Sequence, residues 1–205
     1  MCDRIFSMKH RIFIAINLPQ DIQKELANYH EKWPDLPVKW TRNQNLHVTL
    51  AFLGYVEDEE IPEICNKVGE IARRHKSFSI SLKKIYYGPP EKIPPRMVWV
   101  SGKCDELVKE EKTDRLSLFQ KEIEGAFFSV PSFKGQGKRC FVAHITLGRV
   151  KTWEWRKIEP EERPEVDQEI DLSFEASSVE VMESNLKRGG PQYAALESYP
   201  LGEKL

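Results

Sequence analysis

Two short segments of this chain nearly repeat one another: Asn45-Leu46-His47-Val48-Thr49-Leu50-Ala51-Phe52-Leu53 and Ala143-His144-Ile145-Thr146-Leu147-Gly148-Arg149-Val150. Each sets a histidine two residues before a threonine. In an extended strand residues i and i+2 share a face, so His47 and Thr49 point one way while Val48 and Leu50 point the other. The same division separates His144 and Thr146 from Ile145 and Leu147. One face of each strand is fitted for chemistry and the other for a core. If the two strands face each other, an imidazole and a hydroxyl from each converge on one cleft, which is what acid–base chemistry on a phosphate ester requires.

The remaining sequence surrounds these strands with alternating elements. Residues 11–18 form a continuous apolar run that reads as a buried strand stopped by Pro19. Pro19 suits a first helical position, and Ile22, Leu26, Tyr29 and Trp33 then recur at helical spacing until Pro34. Val38 and Trp40 begin a short extended stretch, and the first histidine strand is closed by Gly54. The acidic run 57–60 opens a second helix whose apolar face is Ile61, Ile64, Val68 and Ile71. Phe78, Ile80 and Leu82 alternate with serines as a half-buried strand. Residues 88–95 hold four prolines and must be a loop, because proline lacks the amide donor. A strand resumes at 97–100, and a third helix is expected within 106–123, with Leu107, Leu116, Phe119 and Ile123 as its apolar contacts. Residues 153–168 read as an exposed excursion. Two final strands are expected at 172–182 and 193–201, with a turn at 187–191. This pattern predicts an α+β fold of two similar lobes packed as one unit: an N-terminal extension, 1–10, and a single domain, 11–205. Met8 is an alternative start.

Composition narrows the function. The 31 basic and 32 acidic residues nearly cancel, so an anionic substrate must be held by a local patch and not by an overall field. Cys2, Cys65, Cys104 and Cys140 form no C-x-x-C pair, which argues against a zinc ribbon and a secreted disulfide framework and points to a reduced cytoplasm. Cys140, four residues before His144, reads as a small buried hydrophobe ahead of a metal or redox group. No apolar run approaches the roughly 18 residues of a membrane span, and the start lacks a signal-peptide core.

The duplicated motif, together with Arg11-Ile12-Phe13-Ile14-Ala15-Ile16-Asn17-Leu18-Pro19, Lys39-Trp40-Thr41-Arg42, Arg96-Met97-Val98-Trp99-Val100, Glu183-Ser184-Asn185-Leu186, Gly190 and Tyr193, resembles the two-histidine phosphoesterases, specifically the LigT-like RNA 2′,3′-cyclic phosphodiesterases. One H-x-T alone is weak; two H-x-T-L copies in this setting are specific. The resemblance implies two pseudo-twofold lobes, each an antiparallel sheet with helices outside and the cleft between them. It also implies RNA ends or small cyclic nucleotides as substrate and no metal; a monomer with no cofactor and no membrane partner is expected. Ala143 and Gly148 stand where the family often has proline and alanine, and the 153–168 excursion is longer than usual.

Opening a 2′,3′-cyclic phosphate needs a base for water, an acid for the departing ribose oxygen and donors for the phosphoryl oxygens. Two histidines with reference pKa of about 6.5 can fill the first two roles, and the Thr49 and Thr146 hydroxyls the third. By resemblance His47 is the acid for the 3′ oxygen and His144 the base, leaving a 2′-phosphate; a substrate flipped across the pseudo-twofold would exchange the roles. Phe52 and Arg149 each lie five residues after a histidine, so strict alternation turns them away from it. Reaching the cleft requires a bulge beyond the threonine, at Ala51-Phe52 and Gly148-Arg149. Given one, the resemblance implies base stacking by Phe52 and a base or phosphate contact by Arg149; otherwise Phe52 is core and Arg149 structural. The basic glycine loop 134–139 and the cluster 153–157 read as an exposed turn and a packed loop rather than RNA sites, and His10, His30 and His75 carry no catalytic motif. Two other functions fit the same residues: 2′–5′ RNA ligation, the reverse reaction, and a non-catalytic RNA- or nucleotide-binding module.

Overall fold

The apolar run near the N-terminus is β1 (Lys9–Asn17), beginning two residues ahead of the expected boundary. It is followed by α1 (Gln20–Asn28), β2 (Val38–Trp40) and β3 (His47–Glu57). Then come α2 (Ile61–Arg74), β4 (Phe78–Gly88), β5 (Met97–Lys103), β6 (Leu107–Val108), β7 (Thr113–Asp114) and α3 (Arg115–Ala126). The chain ends with β8 (His144–Val150), α4 (Thr152–Trp155), β9 (Asp167–Ala176), β10 (Ser178–Lys187) and β11 (Gly190–Pro200). This computed structural model describes residues 9–90, 92–108, 113–128, 133, 141–188 and 190–202. Cys140 and the basic loop 134–139 lie outside them.

The α+β class holds, with antiparallel pairing throughout the main sheet. The two expected sheets are instead one nine-stranded sheet in the order β11-β10-β1-β3-β8-β5-β4-β9, with β2 alongside β8. Its halves meet where β3 and β8 touch, at Val48 opposite Ile145. Ile12, Ile14 and Ile16 of β1 join the main core, whereas Phe13 and Ala15 on the other face form a separate cluster with Met182, against which Tyr193 packs. The helices cover the core face: α2 packs on β10 and β11, and α3 on β3 and β4.

Several local expectations are corrected. Pro19 precedes α1 as its cap residue, and the helix tightens into a 3₁₀ turn at Tyr29–Lys32 before Trp33. Gly54 does not close β3; it takes φ +81° beside a second bulge at Leu53, and the strand runs on to Glu57. Leu107 is not on α3 but 71% exposed in the β6–β7 ribbon, because the helix starts where Asp114 accepts the Ser117 N–H at 3.0 Å. The expected strand 172–182 is two strands that pair at opposite ends of the sheet, β9 with β4 and β10 with β1. The break is a phase slip: Phe174 and Ala176 join the main core from even positions, Val179 and Val181 from odd ones. The 153–168 excursion is anchored by Trp155 and Val166, both buried.

Candidate active site

The pairing of Val48 with Ile145 decides how the two motifs meet. These are the residues between histidine and threonine in each copy, and both are fully buried. In an antiparallel register centred on them, His47 falls beside Thr146 and Thr49 beside His144, all on the face away from the core. All four side chains line one cleft of about 930 Å³, as do Phe52 and Arg149.

Phe52 and Arg149 reach the cleft because each strand carries the required bulge. Ile14 opposes Ala51 and Ala15 opposes Thr49, so Leu50 is the extra residue of β3. Val98 opposes Gly148 and Trp99 opposes Thr146, so Leu147 is its equivalent in β8. The phase then flips: Leu50-Ala51 and Leu147-Gly148 are consecutively buried, and Phe52, at 60% exposure, and Arg149 emerge on the histidine face. Each bulge lies one residue earlier than the sequence implied. Gly148 is not needed for it, since Ala51 serves in β3. A Cβ on Gly148 would lie 2.3 Å from Val38 Cγ1, so the glycine admits the close approach of β2.

Both imidazoles are oriented by the same device. His47 Nδ1–H donates to the Asn45 carbonyl at 2.7 Å, and His144 Nδ1–H donates to the Val142 carbonyl at 2.7 Å. A carbonyl only accepts, so the proton sits on Nδ1 and Nε2 is left for the substrate. His144 stacks on Trp99 with ring centroids 3.9 Å apart. His47 instead leans on Phe13 at 5.1 Å and meets Tyr193 edge-on at 5.3 Å. Burial lowers the pKa of both histidines; the carbonyl bonds partly offset this, and for His47 the positive form of His144 lowers it further. Among the described residues the Thr49 hydroxyl has no hydrogen-bond partner, and that of Thr146 meets only the Met97 thioether at 4.0 Å. Both are available to an oxyanion.

Residues with no role assigned from the sequence complete the walls. Trp99 lies so flat on Gly88 that a Cβ there would come within 2.1 Å of its ring. Asn45 is buried and its Nδ2 donates to the Pro191 carbonyl at 3.0 Å, tying the turn before β3 to β11. Phe13 was masked by the uniformly apolar β1; its odd parity with Ala15 is the signal that sets it on the cleft face. Among the described residues no cluster of three or more His, Cys, Asp or Glu side chains could hold a metal ion, and no helix is long and apolar enough to cross a membrane.

Comparison with known proteins gives a consistent result. The model of the LigT like phosphoesterase family matches residues 16–99. An RNA 2′,3′-cyclic phosphodiesterase of Methanocaldococcus jannaschii is 30% identical over 196 residues, spanning 92% of this chain and 99% of the relative. One from Thermotoga maritima is 31% identical over 191 residues, spanning 91% and 92%. Among solved structures, a Thermus thermophilus protein superposes with a TM-score of 0.77 at 26% identity, covering 95% of this chain and all, 100%, of that one. The fold of E. coli LigT complexed with 3′-AMP matches with a TM-score of 0.73 at 24% identity, covering 96% and 100%.

Proposed function

The chain belongs to the LigT-like phosphoesterases, and from that premise we propose that it hydrolyses the 2′,3′-cyclic phosphate ends of RNA to 2′-phosphates, with His47 and His144 as the acid–base pair. The observation that carries this reading is the matched anchoring of the two imidazoles, each with Nδ1–H on a carbonyl two residues upstream and, among the described residues, no hydrogen-bond partner on Nε2. Relatives named RNA 2′,3′-cyclic phosphodiesterase over nearly their whole length support the substrate.

His144 Nε2 takes a proton from water as its oxygen attacks phosphorus. The bond from phosphorus to the 3′ oxygen breaks, and His47 Nε2–H delivers the proton that this oxygen requires. Thr49 and Thr146 donate to the non-bridging oxygens, whose charge grows in the transition state. Burial of both rings, with the charge of His144 added at His47, disfavours an imidazolium before substrate binds. An anionic phosphate reverses that balance, so the acid is charged when substrate is present. Phe52 stacks on the terminal base and Arg149 contacts base or phosphate.

The test is an oligoribonucleotide ending in a 2′,3′-cyclic phosphate, with the product isomer read by phosphorus NMR and the assay repeated after exhaustive EDTA treatment. The expected product is the 2′-phosphate, at an unchanged rate after chelation. A 3′-phosphate would exchange the roles of the histidines, and an intact cyclic end would remove the proposal.

A further inference from the structure

The cleft holds more positive charge than the histidine–threonine quartet accounts for. Lys39 of β2 and Arg149 of β8 are direct register partners, so their side chains leave the sheet on one face. Both are exposed and both line the cleft, with Arg42 nearby. Like charges directly opposite in an antiparallel pair are destabilising. β2 is nevertheless held in this register at both ends, by the Thr41 N–H on the Leu147 carbonyl at 2.7 Å and the Lys151 N–H on the Pro37 carbonyl at 2.7 Å.

Among the described residues no carboxylate pairs with Lys39, Arg42 or Arg149, whereas Lys9, Lys67, Lys83, Lys84, Lys103, Arg115 and Lys151 all have acidic partners. Glu124, the carboxylate among the described cleft residues, receives the Gln120 amide at 2.8 Å. Lys39 Nζ lies 3.2 Å from where a Cβ on Gly190 would stand, so the side chain reaches the β10–β11 hairpin.

A cation pair held together without a carboxylate is relieved by an anion. The cyclic phosphate is a single negative charge already faced by two imidazoles and two hydroxyls. The next anion along an RNA strand is the phosphodiester on the 5′ side of the terminal nucleotide. We infer that Lys39, with Arg149 beside it, forms a second phosphate subsite for this internucleotide phosphodiester, so that the substrate is an RNA strand end in preference to a free cyclic mononucleotide. The inference rests on the hydrolysis proposed above. Lysine suits the role, because a compact ammonium binds a phosphodiester as a point charge without demanding bidentate geometry.

The experiment compares kcat/KM for a nucleoside 2′,3′-cyclic phosphate and for the dinucleotide carrying the same cyclic end. The wild-type protein favours the dinucleotide. Lys39→Ala reduces that preference by about tenfold, the scale of one charge-assisted contact, and Lys39→Arg retains most of it. A dinucleotide with a neutral methylphosphonate linkage loses at least the same factor with the wild-type protein and clearly less with Lys39→Ala, in which Arg149 alone still faces the linkage. An unchanged preference in Lys39→Ala, or an equal methylphosphonate loss in both proteins, overturns the subsite while leaving the hydrolysis intact. Failure of the wild-type protein to open either substrate overturns the hydrolysis itself.

Discussion

β3 and β8 carry the same bulge at the same step beyond the threonine, yet they satisfy it with different materials. In β3 the carbonyl of the extra residue, Leu50, accepts the Nε2–H of Gln120, a buried side chain on α3, at 3.2 Å. In β8 the Leu147 carbonyl accepts the backbone N–H of Thr41, where β2 continues past Trp40, at 2.7 Å. Buried carbonyls need partners, so both bulges are stable, but only one depends on a side chain that a single substitution can delete. The aromatic supports differ too: His144 has the flat face of Trp99, whereas His47 sits in the angle between Phe13 and Tyr193. Equivalent backbone geometry has thus been reached from unrelated neighbours.

The strongest challenge to that equivalence is removal of each imidazole. His47→Ala and His144→Ala should each lower kcat/KM on a cyclic-ended oligoribonucleotide by at least about 10² with unchanged circular dichroism. A folded variant with near wild-type turnover would leave only one strand catalytic. Gln120→Leu separates the bulges next. It strands the Leu50 carbonyl and should cost about 1–3 kcal/mol in urea unfolding, with activity failing as Phe52 loses its place. No substitution at Thr41 other than proline removes the N–H that caps the β8 bulge, so Thr41→Ala should be far milder; equal losses would break the contrast.

Thr49→Val and Thr146→Val keep the branched shape and delete the hydroxyl, and each should reduce kcat/KM about tenfold. If either retained full activity, that strand's threonine would be a packing residue. Because the pKa of both histidines is lowered from 6.5, kcat/KM should peak on the acid side of that value, with limbs that belong to the pair. In His144→Gln the cation that opposes His47 protonation is gone, so His47 should titrate higher by NMR; a downward shift would contradict the repulsion.

The smallest effect concerns the edges of the two halves. In one, His10 of β1 bridges Glu183 at 2.5 Å and Asp58 at 2.6 Å. In the other, β4 and β9 are joined by exposed lysine pairs, Lys83 with Asp171 and Lys84 with Asp167. The Glu183 hydrogen bond, opposed by burial and helped by Asp58, raises the His10 pKa above 6.5. A raised pKa contributes stability that is complete below the unfolded value and is lost as pH rises through the folded one. His10→Gln should therefore lower Tm by a few degrees at pH 5.5, with the difference shrinking by pH 9. An equal difference at both pH values would mean that packing, not charge, is what His10 supplies there.

Periodicity made the local elements legible: β1, α2, β3, β5 and β8 lie where their apolar spacing puts them, and the parity of His-x-Thr already placed imidazole and hydroxyl on one face. The need for a bulge before Phe52 or Arg149 could reach that face also follows from parity alone. Less was readable where a pattern has no single period. The slip at Ser177 between β9 and β10 lay inside a run of apolar residues interleaved with Ser and Glu that reads as one strand, and Leu107 carried helical spacing without a helix.

That each histidine shares a strand face with its threonine was settled by residue order alone, because alternation is a property of a few consecutive residues; the bulges that bring Phe52 and Arg149 to that face were not. It took the assembled sheet to bring Val48 against Ile145, to cap the two bulges with Gln120 and Thr41, and to stand Lys39 opposite Arg149. Those partners lie many residues apart in the chain. What joins them is sheet order and register, set by burial of the whole core and not by any local preference.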